Sequence, residues 1–342
     1  MSYKICISST LVFPPQVEFN LKSNLLAQLS MMLTFLSHYQ NEVHTVLVSN
    51  DIKIIKNILL EKGFEYANFD ILEIKNEELR FCKDVDSPLT KYHFSKVDSL
   101  FLLNNYFKDN KKYKKLVISD IDCIFLDIKR IIKLSKNTKT MAAINYRSEK
   151  KTNSKFDEII NKAIREYWPD FYNKKDLAWI NSGFMILDIK LIPNILNSSR
   201  SIFNWLNKNM IKVKNVSDNH FGDETLFSAI FNKLEGIEID NKRNNVARFF
   251  WTCQTKRISK DSPVLLNPIN YPSHIHLPAI KYADTKYQIS ILKKIGLIKE
   301  LNFLVIILLN FWRSKARLHH NLTNSFVYKI YKFLKNIFSN KY

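Results

Sequence analysis

Asp120-Ile-Asp122 is the segment of this sequence whose residue types and spacing could do chemistry. Leu116-Val-Ile-Ser119 precedes it and Ile124-Phe-Leu126 follows, so two carboxylates stand inside an otherwise apolar run. Side chains two apart share one face of a regular strand. Where the strand opens, they instead present hard oxygen ligands suited to Mg²⁺ or Mn²⁺. Two solvated aspartates in a turn have the same spelling. The apolar flanks favour the metal, because two anions drawn out of water require a cation.

Such a pair needs elements to hold it. Ile5-Cys-Ile-Ser-Ser-Thr10 and His44-Thr-Val-Leu-Val-Ser49 read as buried strands, and Leu21, Leu25, Leu29, Met32 and Leu36 recur at helical spacing between them. Phe94, Val97 and Phe101 mark another helix, Leu116 to Leu126 a long strand, and Met141 to Ile144 a further one. Trp179 to Leu187 continues as a strand, Ser201 to Leu206 and Glu224 to Phe231 as helices, and Val264 to Ile269 as an extended segment. Alternating strands and helices without hairpin signals predict an α/β fold with a mostly parallel sheet covered on both faces. Ligands of such sheets bind beyond the carboxyl ends of the strands.

Composition excludes several classes. The 342 residues carry 52 Lys+Arg against 32 Asp+Glu, a formal charge of +20, and 46% are hydrophobic, which fits a globular chain. The five glycines, Gly63, Gly183, Gly222, Gly236 and Gly296, are too scattered to write GxGxxG or GxxxxGK[ST]. That removes glycine-fingerprint dinucleotide binders, protein kinases and P-loop NTPases. Cys6, Cys82, Cys123 and Cys253 form no CxxC pair, and most sit among apolar neighbours like small buried hydrophobes. A reducing, cytosolic compartment is expected. The amino terminus shows no apolar signal-peptide run. Leu301 to Trp312 is the greasiest stretch, but it is interrupted by Asn302 and Asn310 and falls short of the ~20 apolar residues of a spanning helix.

The segment Lys115-Leu-Val-Ile-Ser-Asp-Ile-Asp-Cys-Ile-Phe-Leu126 resembles the DxD strand of GT-A glycosyltransferases, especially the retaining enzymes of family 8. Those include the galactosyltransferases of lipopolysaccharide synthesis and glycogenin. Further elements follow in the family's order: Phe94-Ser-Lys-Val97, Asn181-Ser-Gly183, Asp223-Glu-Thr-Leu-Phe227 with Glu224 where the family usually has Gln, and Ile275-His-Leu277 with Lys281 behind it. The family's glycine after that histidine is replaced by Pro278-Ala279, and Lys281 falls one residue early.

The resemblance, over about residues 1–282, implies a Rossmann-like nucleotide-diphospho-sugar transferase domain with a mixed central sheet. It implies a hexose transfer from a UDP-sugar to a saccharide or glycolipid acceptor, as in lipopolysaccharide or capsule synthesis. Asp120, Asp122 and His276 would hold Mn²⁺ or Mg²⁺, with His274 a rival ligand two residues away. Asp120, Lys96 and Lys281 would face the donor's diphosphate. Asn181, Asp223 and Glu224 would face the sugar; Asp223 also reads as a helix N-cap. Ser8 and Thr10, at the end of the first strand, are candidates for the nucleoside and equally for loop capping.

From residue 283 to 342 a basic helical tail is expected. From Asp284 onward it holds 11 Lys+Arg against 2 Asp+Glu. Phe326, Ile330, Phe333, Leu334 and Ile337 line one stripe. This pattern suits an in-plane segment on an anionic membrane surface, placing the protein on the inner face of the membrane, cytoplasmic and peripheral. A helical hairpin packed on the core is the competing reading. A haloacid-dehalogenase-type phosphatase, whose first motif also ends a strand in DxD, is the alternative function; it wants Thr or Ser where Cys123-Ile124 stands. No nucleic-acid-binding signature accompanies the positive charge, so no nucleic-acid partner is expected.

Overall fold

The computed structural model describes residues 5–17, 19–85, 91–145, 178–210, 222–250, 265–277, 285–325 and 330. In chain order the elements are β1 (Ile5–Leu11), α1 (Phe19–Leu36), β2 (Val43–Ser49), α2 (Ile52–Glu61), β3 (Phe69–Glu73), α3 (Arg80–Lys83) and α4 (Ser95–Asp109). Then come β4 (Lys115–Ser119), β5 (Cys123–Phe125), α5 (Ile128–Asn137), β6 (Met141–Asn145), β7 (Ile180–Asp188) and α6 (Ile192–Met210). The last are α7 (Asp223–Lys233), β8 (Ile237–Glu238), α8 (Asn241–Asn244), β9 (Ala247–Phe249), β10 (His274–His276), α9 (Thr285–Leu297) and α10 (Asn302–Asn324).

A seven-stranded sheet runs in the order β3-β2-β1-β4-β7-β6-β8. β7 pairs antiparallel with β4 and β6, while the other pairings are parallel, so the sheet is mixed. β1, β2 and β4 are buried almost throughout, as strands covered on both faces must be. Ile5, Ile7, Leu47 and Ile186 face a core built with α1, α2 and α5; Cys6, Val46, Val48 and Met185 face another built with α3, α4, α6 and α7. Two expectations change here. The run Leu116–Leu126 is two strands in different sheets, β4 and β5, because the chain turns at the aspartates. Residues 265–269 form no strand; the extended segment of that region is β10, which joins β5 and β9 in a three-stranded sheet.

The C-terminal helices pack on the first core rather than standing clear of it. Ile291, Leu292 and Ile295 of α9 and Val305, Ile306, Leu309 and Trp312 of α10 are buried there. The two asparagines that interrupt the apolar run have partners. Asn302 Nδ2 donates to Leu126 O at 2.9 Å, and Asn310 brackets Leu266, accepting its N–H at 2.9 Å and donating to its carbonyl at 2.6 Å. Among the described residues no helix is long and apolar enough to cross a membrane. The stripe residues Phe326, Phe333, Leu334 and Ile337 lie outside the described residues. Because Leu309 is fully buried, Leu309→Ala is expected to lower the unfolding free energy by about 2–5 kcal/mol. Urea denaturation reads this directly; an unchanged midpoint would show that α10 contributes nothing to the fold.

Candidate active site at the carboxyl edge of the sheet

The reversal of β7 brings this site together. Running against β4, it places its amino end, Asn181-Ser-Gly183, at the carboxyl edge where β4 ends, with Ser119 opposite Phe184. The turn Asp120–Asp122 is pinned on both sides: Asp120 N–H donates to Gly183 O at 3.0 Å, and Asp122 O accepts Leu277 N–H at 2.9 Å. β10 pairs antiparallel with β5 and sets His276 opposite Cys123. α4 contributes Lys96 from its first turn, and α7 contributes Asp223 and Glu224 from its own. Gly222, not Asp223, occupies the N-cap of α7, so Asp223 is the first helical residue. A carboxylate there is favoured by the helix dipole.

Lys96 is buried, and its ammonium lies 2.7 Å from Asp120 Oδ1 and 2.7 Å from Asp223 Oδ2. It also donates to Ser182 O at 2.9 Å and approaches Ser182 Oγ at 3.2 Å, while Ser182 Oγ donates to Asp223 at 2.8 Å. Burial disfavours the ammonium, but the two aspartates outweigh it and hold the Lys96 pKa above its ordinary value. On the other side of Asp120, His276 Nε2 lies 3.1 Å from Asp122 Oδ1 and 3.7 Å from Asp120 Oδ2. His276 Nδ1 is 3.0 Å from Asn181 Oδ1. With the proton on Nδ1 donated to that amide oxygen, Nε2 is left to face the carboxylates. Asn181 also accepts Gly183 N–H at 2.9 Å and donates to Glu224 Oε1 at 2.7 Å. One amide thereby orients the imidazole and a carboxylate together.

Burial, followed by the Asp223 charge, pushes the Glu224 carboxyl up to about 7. For His276, burial works against the charged form, but Asp122 and then Asp120 prevail and raise its pKa. Burial, then the charges of Asp122 and Asp120, keeps the Cys123 thiol well above the ordinary thiol range. Close packing adds a steric demand: a Cβ on Gly183 would fall 2.3 Å from His276 Cε1 and 2.8 Å from Asn181 Oδ1.

Seven of the residues singled out by sequence therefore meet in one place: Lys96, Asp120, Asp122, Asn181, Asp223, Glu224 and His276. Thr10 lies nearby, donating to Ser99 Oγ at 2.9 Å one turn along α4 from Lys96, while Ser8 is buried within β1. His274 belongs to the core beneath the site. It packs at a tilt on Phe184 with ring centres 4.2 Å apart, meets Phe125 edge-on, and lies 3.4 Å from Ser119 Oγ. Burial lowers its pKa, so it stays neutral there. Lys281 lies outside the described residues. Sequence reasoning gave no role to Ser182 or Cys123. Ser182 carried a signal, standing inside Asn181-Ser-Gly183; Cys123 carried none until β5 and β10 are known to pair.

No protein-family model matches the sequence, and no curated protein matches it. Solved structures do resemble it. The galactosyltransferase LgtC in complex with donor and acceptor sugar analogues is 13% identical, with a TM-score of 0.53 over 85% of this chain and 95% of that one. The fold is that of the GT-A glycosyltransferases. Mouse xyloside xylosyltransferase 1 in its apo form, 13% identical, covers 80% of this chain and 97% of its own with a TM-score of 0.49. The haloacid-dehalogenase alternative finds no support, since the sheet carrying Asp120 and Asp122 is the GT-A sheet with its antiparallel β7.

Two outcomes follow from this geometry. Gly183→Ala should displace the His276 ring and lower the melting temperature of the protein. A variant that melts like wild type would contradict the packing described here. Glu224 and His276 both have raised pKa values in the folded protein, so the native state holds protons that the unfolded chain releases first. Their contribution to stability is full below the unfolded values and is lost as pH rises through the folded ones. The metal-free protein should therefore melt progressively earlier as pH rises from about 5 through about 7. Glu224→Gln, which keeps an oxygen for Asn181, should flatten the part of that decline below about 7.

Proposed function

We propose that this protein is a metal-dependent glycosyltransferase that moves a hexose from a UDP-sugar to a saccharide acceptor with retention of configuration, in surface-glycan synthesis of the lipopolysaccharide or capsule type. The observation that carries the reading is the convergence of Asp120, Asp122 and His276 on one point beside Lys96, at the carboxyl edge of a GT-A sheet. The donor set fits a divalent ion: two carboxylates and an imidazole nitrogen whose partner nitrogen is already engaged by Asn181. Asp120, Asp122 and His276 would hold Mn²⁺ or Mg²⁺, with Cys123 the other metal-binding type of side chain beside them. When bound, such an ion supplies positive charge to the departing diphosphate.

The chain's own residues do the rest. Lys96 stands between Asp120 and Asp223, so it ties the diphosphate side of the site to the sugar side and adds a fixed positive charge. Asp223, Asn181 and Glu224 face the sugar. Asp223 offers a carboxylate to developing oxocarbenium character, and Asn181 fixes Glu224 by a hydrogen bond of 2.7 Å. Thr10 at the end of β1 and Lys281 complete the donor pocket in this reading, with Ser8 behind Thr10.

The acceptor is a saccharide or glycolipid, reached from an anionic membrane surface. Support for that surface comes from the outer face of α10, where Phe303, Ile307, Phe311 and Leu318 are exposed beside Lys315. Apolar anchors flanked by basic residues suit an interfacial position on anionic lipid. Because the opposite face of α10 is core, the test is substitution rather than truncation. Phe311→Ser with Leu318→Ser should fold normally and release the protein from anionic liposomes in flotation; undiminished flotation would refute the surface.

For the reaction itself, UDP with Mn²⁺ should raise the melting temperature of wild type, and Asp122→Ala should abolish that shift. Transfer or slow donor hydrolysis from a panel of nucleotide sugars should fall by at least about a thousandfold in Asp122→Ala, the loss of roughly 4 kcal/mol of transition-state stabilisation. A metal-independent rate in Asp122→Ala equal to wild type would overturn the proposal.

A further inference from the structure

Cys123 follows Asp122 directly and sits opposite His276 in the antiparallel β5–β10 pair. Directly opposed residues in such a pair present their side chains to the same face of the sheet. One ligand atom from each of Asp122, Cys123 and His276 lies within 4.8 Å of the other two, and all three residues are buried. The thiol donates to Gly183 O at 3.5 Å, the same carbonyl that accepts Asp120 N–H. Cys123 therefore borders the acidic turn from the core shared with α1 and α5, whereas Cys6 and Cys82 belong to the opposite core, packed against α4 and α6.

The hard and soft donors of this cluster are separable. Mg²⁺ and Mn²⁺ favour carboxylate oxygen and have little affinity for sulfur, whereas Zn²⁺ and Cd²⁺ take thiolate together with imidazole. A hard ion is served by Asp120, Asp122 and His276 and leaves the thiol intact. A thiophilic ion gains a third strong ligand by turning from Asp120 to Cys123.

We infer that Cys123 makes this centre a high-affinity site for thiophilic divalent cations, held by Asp122, Cys123 and His276 and competing with the hard ion. The competition with a hard ion rests on the proposed function; the binding site itself does not. Binding forms a sulfur–metal bond and breaks the S–H bond. The thiol proton leaves to solvent, as does the Nε2 proton where His276 carries one, and no electron is transferred. Asp120, released from the ion, stays paired with Lys96.

The test titrates the full-length protein with Cd²⁺ alone, without nucleotide, following thiolate-to-metal charge-transfer absorption in the ultraviolet. Wild type should develop the band to saturation at one Cd²⁺ per chain. Cys123→Ser should lose the band and bind Cd²⁺ at least about tenfold more weakly. Cys123→Ala, which leaves no polar atom at the position, guards against a folding defect peculiar to serine. A band that persists in both variants, or Cd²⁺ binding to wild type without one, would overturn the inference. Mn²⁺ uptake in the presence of UDP, followed separately by the broadening of its paramagnetic resonance, reads the proposed function on its own. Its failure there leaves the cadmium result standing, and a missing cadmium band leaves the manganese result standing.

Discussion

Charge balance governs this structure. Asp120, Asp122, Asp223 and Glu224 are drawn together at one edge of the sheet, facing Lys96 and a histidine that is cationic only when protonated. Bringing anions out of water without compensation is among the more expensive things a fold can do. The molecule responds with every device available to it. Lys96 is shared between two carboxylates, Asp223 sits on a helix amino end, and Glu224 and His276 hold protons that they would give up in water. The raised pKa values of Glu224 and His276 lessen the net negative charge that this edge of the sheet must carry.

Topology makes that concentration of charge possible. Were β7 parallel to β4, its Asn181-Ser-Gly183 segment would lie at the far edge of the sheet, some five residues of strand away from Asp120. The small sheet of β5, β9 and β10 does the complementary task, carrying His276 back from late in the chain to meet residues near its first third. Gly183 is the point where the two arrangements touch. Nothing larger than hydrogen fits between its backbone and the His276 ring.

Much of this was legible in the residues. The apolar strands β1, β2, β4, β6 and β7 announce themselves by composition, and the aspartates stand out because their neighbours are greasy. What periodicity does not reveal is where a strand breaks. Leu116 to Leu126 reads as continuous because Ile121 and Ile124 are as apolar as the residues before them. The break comes from long-range hydrogen bonds to Gly183 and Leu277. Short strands such as β8, β9 and β10 carry too few residues for a pattern and exist because a neighbour pairs with them. The helix α10 is the inverse case. Its sequence shows an apolar run and a basic flank, but only packing shows that Val305, Leu309 and Trp312 face inward while Phe303, Ile307 and Phe311 face out.

The tether between Leu126 and Asn302 has a consequence for how the protein is made. β5 is fastened by Ser273, whose carbonyl accepts Leu126 N–H, and by Asn302, which donates to the Leu126 carbonyl. Tyr39, which also donates to the Leu126 carbonyl, precedes it in the chain, but Ser273 and Asn302 are translated long after residue 126, so this end of the acidic turn gains its full set of anchors only once residue 302 has been made. A nascent chain that stops short of β10 lacks His276, and with it the cluster that Asp120, Asp122 and His276 form in the finished fold.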